Sequence, residues 1–109
     1  MKYLLPTIIL ILIALSTIFL YTSRRSDLDK AKRICVQECQ QQLAEGRDLS
    51  NGPCLLDPIS ELPDWVCDVA HSPREDVGNM AENQCSSYRR GIAKHFVEVT
   101  PDCKFIRAY

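Results

Sequence analysis

The chain has 109 residues, 46% of them hydrophobic and 25% charged, with 6 cysteines and a formal net charge of −1. That length permits one small domain and excludes the large enzyme folds. The near-zero charge leaves no general basic surface, so nucleic acid is not expected as a partner.

Tyr3 to Ser23 contains no charged residue and consists mainly of Leu, Ile, Ala, Thr and Phe. A helix of that length spans about 31 Å, matching the hydrocarbon layer of a bilayer. Pro6 falls in the first turn, where its missing N–H removes no helical bond. Residues 1–23 are therefore expected to form a transmembrane signal anchor, with residues 3–23 in the lipid bilayer, and residues 24–109 a small cysteine-rich domain. The opening Met1 to Thr7 (MKYLLPT) resembles the start of a bacterial pectate-lyase secretion signal. A removable signal has a shorter apolar stretch and small residues before the cut. Cuts after Thr22 or Ser23 place bulky Leu20 or Tyr21 at the third position back, so the anchor is expected to stay attached.

Two rules disagree on orientation. Lys2 precedes the apolar stretch, whereas Arg24, Arg25, Lys30, Lys32 and Arg33 follow it, and the positive-inside rule alone would place the domain in the cytoplasm. An even, dense set of cysteines in a small domain instead marks disulfides formed in an oxidising compartment. The cysteines decide the expectation: a single-pass protein of the cell membrane with its domain outside the cytoplasm. Arg24 and Arg25 form a basic collar suited to lipid phosphates.

Ser26 followed by Asp27, Leu28 and Asp29 reads as the N-cap of a helix from about Asp27 to Glu45. Leu28, Ala31, Cys35, Cys39 and Leu43 recur at helical spacing, and Gly46 stops the pattern. Cys35 and Cys39 stand one turn apart on one face and are expected to tie the helix to two different parts of the domain. From Gly46 to Pro63 the text is loop-like, with Asn51-Gly52-Pro53 as a turn signal. Trp65 to Ala70 is a strand candidate, His71 to Met80 an exposed loop, and Ala81 to Arg90 a short helix ending at Gly91. His95 to Thr100 and Cys103 to Tyr109 are β-rich runs around Pro101-Asp102, which reads as a C-terminal hairpin. The fold class is thus α+β: the transmembrane helix, one amphipathic helix, and a short antiparallel sheet that takes Trp65 to Ala70 as its third strand.

Outside the anchor, Leu, Ile, Val and Phe make up only about a fifth of the residues, near the level at which compact folding fails. A core this small supplies roughly 3 to 5 kcal/mol, and one native disulfide is worth about 2 to 5 kcal/mol. Cys35, Cys39, Cys54, Cys67, Cys85 and Cys103 are therefore expected to pair and carry the fold. Their connectivity cannot be read from spacing.

The sharpest alternative is a cytoplasm-facing zinc domain with Cys35, Cys39, Cys67 and His71 as ligands, His95, Cys85 and Cys103 being in reserve. Its C-x3-C and C-x3-H spacings are looser than zinc knuckles, so no metal is expected. No C-x-x-C redox motif, phosphate loop, dinucleotide fingerprint or calcium loop is present, and no cofactor is implied. Asp57, Glu61, Asp64, Asp68, His71 and His95 lack the spacing of a nucleophile with its base, and catalysis is not expected. Pro63 to Arg74 holds the sole Trp and one of two histidines. Trp65, His71 and Arg74 are the candidate binding surface, with Trp65 as core packing the plainer reading. The expected function is a membrane-anchored, disulfide-stabilised binding or accessory module serving another membrane or cell-surface protein.

Overall fold

A computed structural model describes residues 1–109. Helix α1 runs without a break from Leu4 to Ala44, 41 residues, which corresponds to a rod of about 62 Å. The longest dimension of the molecule is 68 Å, so this rod sets its shape. The segment rich in Leu and Ile is wholly exposed and apolar enough to cross a membrane.

The expected helix start at Ser26 is not present. Between Pro6 and Gly46 there is no Pro or Gly, so the carbonyls of the apolar helix continue to satisfy the N–H groups of residues 26 to 29. Extending a helix adds one bond per residue fixed, whereas a break would require a second costly nucleation. The boundary between residues 1–23 and 24–109 therefore falls inside one helix. At the far end Gly46 adopts φ 87°, and its N–H reaches the Leu43 carbonyl while that of Arg47 reaches Gln42, each at 3.0 Å. These are the two crossed bonds of a Schellman cap, which a residue bearing a Cβ disfavours.

Four strands follow: β1 (Cys54–Leu56), β2 (Trp65–Val69), β3 (His95–Val99) and β4 (Phe105–Ala108), in that order across one sheet. β1 pairs antiparallel with β2, and β3 with β4. The C-terminal hairpin is as read from sequence, its turn closed by the Cys103 N–H on the Thr100 carbonyl at 2.8 Å. The central pair β2 and β3 is parallel, in the register Trp65 to His95 through Val69 to Val99. The sheet is thus mixed where an antiparallel one was expected. A parallel pair needs a crossover of a dozen residues or more, and residues 70–94 supply it. That crossover contains 3₁₀ turns at Asp76–Asn79 and Ala81–Asn83 and a one-turn helix α2 (Ser86–Arg89), in place of one helix over Ala81 to Arg90. Strand β1 lies in the stretch read as loop; three residues are too few to show alternation against the surrounding prolines.

Helix α1 covers one face of the sheet. Ala31, Cys35 and Cys39 form the stripe it buries, against Trp65, Cys67, Val69, Val97 and Val99, with Leu49 and Ile59 closing the sides. Val66, Cys85 and Ala93 form a second, smaller cluster under the crossover on the opposite face. The six cysteines join as Cys35 with Cys67, Cys39 with Cys103, and Cys54 with Cys85. Two bonds fasten α1 to the sheet, and the third fastens the crossover to β1.

The Cys39 to Cys103 bond closes the longest loop, a separation of 64 residues, for which chain-entropy arguments give roughly 4 kcal/mol. Replacing both cysteines by Ala should lower the urea-unfolding free energy by about that amount, enough to leave the domain largely unfolded at 37 °C. Intact-mass analysis of the wild type should show no alkylation before reduction and six alkyl groups after it.

Candidate functional site

Alternation along β2 and β3 sends Trp65, Cys67, Val69, His95, Val97 and Val99 toward α1, and Val66, Asp68, Phe96 and Glu98 to the other face. Register then sets Asp68 beside Glu98, and Glu98 opposite Arg107 on β4. The crossover adds Arg74, Tyr88 and Arg89, and together these residues line a cleft of about 360 Å³.

Glu98 is only 7% exposed. A buried carboxylate needs charged donors, and Arg107 supplies two, from Nε at 3.1 Å and Nη2 at 3.3 Å. Arg74 stands 3.7 Å away on the other side, and its Nε also donates to Asn79 Oδ1 at 2.8 Å. The Arg107 guanidinium lies over the Phe96 ring, 5.4 Å from its centroid, and Tyr88 meets the same ring edge-on at 5.0 Å.

Asp68 has no comparable partner, and its Oδ1 is buried without a hydrogen bond. Desolvation, reinforced by the neighbouring Glu98 charge and only partly offset by Arg74, pushes its carboxyl up to about 8. The guanidinium groups of Arg74, Arg89 and Arg107 outnumber the two acids Asp68 and Glu98, so the cleft is net positive whether or not Asp68 holds its proton. Asp57 does different work at the rim. Partial burial raises its carboxyl, but bonds from Ser87 and Ser86 outweigh this and hold it below the usual range. It accepts the backbone N–H of Ser86 at 2.8 Å and of Ser87 at 3.1 Å, capping α2 from 29 residues away.

The three residues singled out in Pro63 to Arg74 do not form one surface. Trp65 is 7% exposed, packs in the core beneath α1 and stacks on His95 with ring centroids 4.7 Å apart. Arg74 belongs to the cleft on the far face. His71 lies between them, its Nε2 3.4 Å from Glu75 and its Nδ1 buried without a partner. The residues missed by sequence reading are Glu98 and Arg107. Both lie in the hairpin read from sequence, but a two-residue turn at Pro101-Asp102 would set Glu98 opposite Phe105; the register shift next to Glu98 sets it opposite Arg107 instead, and Asp68 joins them only through the parallel pairing.

The alternative zinc set is not assembled. Cys35 and Cys67 are bonded to each other and Cys39 to Cys103, and a disulfide sulfur carries no thiolate charge to ligate zinc. His95 does stand beside a carboxylate, with Nε2 3.5 Å from Asp64 and Nδ1 3.2 Å from the Tyr109 carbonyl. Both ring nitrogens thus face acceptors of the protein itself.

Because Asp68 ionises far more readily in the unfolded chain, folding retains its proton. Its contribution to stability is full below the ordinary carboxylate value and is lost as pH rises through about 8. Asp68→Asn keeps the shape without the proton. It should unfold close to wild type near pH 4 and be more stable at pH 9 by on the order of 1 to 3 kcal/mol, as read by thermal unfolding of the oxidised protein at both pH values.

No protein-family model, curated protein or solved structure matches the chain, and the reading of its function rests on its own residues.

Proposed function

We propose that the chain is a single-pass membrane protein that holds a disulfide-stapled binding module outside the cytoplasm. The observation that carries this reading is the pairing of every cysteine within a domain whose first helix is continuous with an apolar anchor. Three disulfides in so small a domain fit an oxidising compartment, since cytosolic thiols are kept reduced. The basic residues after the anchor favour the opposite orientation, but they also have a role at either surface, as partners of lipid phosphate.

The binding role rests on the cleft of the far face. Arg74, Arg89 and Arg107 outnumber the acids Asp68 and Glu98, and Phe96 and Tyr88 give the cleft an apolar wall. Such a site suits a carboxylate or phosphate group, because a guanidinium presents paired donors matching either anion. A group of this kind on another membrane or cell-surface protein is the proposed ligand, in keeping with a binding rather than a catalytic role.

An impermeant maleimide applied to intact cells expressing the chain tests the orientation. The cysteines should label in intact cells only when a reductant is added first. Labelling confined to lysed cells would overturn the outside placement, and labelling without reductant would overturn the disulfide framework.

A further inference from the structure

The unbroken helix fixes how high each part of the domain stands above the membrane. Arg24 follows the last residue of the apolar stretch directly, and Leu28 lies about 8 Å above Ser23 along the axis. That height equals the polar headgroup layer on one side of a bilayer, roughly 5 to 8 Å thick. Strands β2 and β3 both begin at this level and run away from the membrane. Leu28 packs against the cluster that includes Trp65 and Cys67, whereas Cys39, further along, bonds Cys103 at the other end of the sheet.

A groove of about 360 Å³ opens at this lower end, lined by Arg24, Asp27 and Leu28 of α1 and by Trp65, His95, Ala108 and Tyr109 of the sheet. Its walls are largely apolar, with the exposed Arg24 guanidinium at the side nearest the bilayer and the exposed Asp27 carboxylate one turn further along the helix. Tyr109 is exposed beside it, and the turn entering β3 presents exposed Ile92 and Lys94. The Lys94 N–H donates to Asp64 Oδ1 at 2.9 Å, which places that turn at the start of β2. An exposed Tyr, an exposed Ile and basic groups at one level match the residues that membrane proteins keep at the headgroup boundary.

We infer that the lower end of the domain is seated in the headgroup layer, and that the groove holds an anionic phospholipid. Arg24 takes the phosphate, and Leu28 and Tyr109 meet the glycerol region, with the buried Trp65 forming the floor of the groove. The inference rests on the membrane-anchored reading. It goes further by making the domain a fixed membrane-contacting body in place of a head on a free stalk. Two features support it: the groove's lining begins at Arg24, directly after the apolar stretch of α1, and the disulfide of Cys35 holds β2 against that same helix.

Trp65 is the only tryptophan, so quenching of its fluorescence reports how near this end of the domain lies to the labelled lipids. The full oxidised chain would be reconstituted into phosphatidylcholine vesicles containing one quarter phosphatidylglycerol, with nitroxide-labelled lipids as quenchers. A headgroup nitroxide should quench Trp65 strongly, and a nitroxide near the end of the acyl chain should quench it little. Quenching by a labelled anionic lipid should exceed that by a labelled zwitterionic lipid. Arg24→Gln should reduce this preference by up to about fivefold, the worth of one basic residue at an anionic surface. Protein that floats with the vesicles and yet shows no headgroup quenching would overturn the seating. Seating that persists with equal quenching by both lipids would overturn the phospholipid site. Protein that fails to float would overturn the membrane anchor itself.

Discussion

The arrangement of this protein depends on two covalent bonds between one helix and one sheet. Cys35 and Cys39 are a turn apart on the buried stripe of α1, and they reach β2 and the turn before β4. Neither bond alone would define the angle between helix and sheet; two bonds at different heights do. Because the same helix carries the apolar stretch, the domain keeps a fixed tilt and distance relative to that stretch. A flexible linker would have left both open.

That constraint separates the two faces of the sheet. The face against α1 takes the apolar half of β2 and β3 and forms the main core. The other face carries the crossover, clamped to β1 by Cys54 and Cys85. Beneath this cover the charged half of the strands is partly buried, and the cost of burying Glu98 and Asp68 is met in two ways. Glu98 keeps its charge by facing Arg107 and Arg74. Asp68, lacking such a partner, keeps its proton instead.

Legibility from the sequence followed the range of the interactions involved. The apolar helix, the buried stripe of Ala31, Cys35 and Cys39, the strand at Trp65 and the C-terminal hairpin all rest on local periodicity, and each was readable. The start at Ser26 misled because a good cap signal is overridden when a helix already arrives from upstream. The parallel pairing and the short strand β1 depend on contacts across a long crossover, which alternation within one strand does not encode. The cluster Trp65, His71 and Arg74 dissolved for the same reason: closeness in sequence within a strand and its following loop sends neighbours to opposite faces.

What the sequence determined by itself was therefore the inventory: a membrane-length apolar helix, an amphipathic continuation bearing two cysteines, and alternating strands that each offer one apolar and one charged face. The tertiary structure alone decided how the cysteines pair, which strands lie parallel, and that Asp68, Glu98, Arg74 and Arg107 share one cleft while Trp65 and Arg24 share another. Periodicity tells each residue which side of its own element it occupies. Only packing among distant elements, locked here by three disulfides, decides what that side will meet.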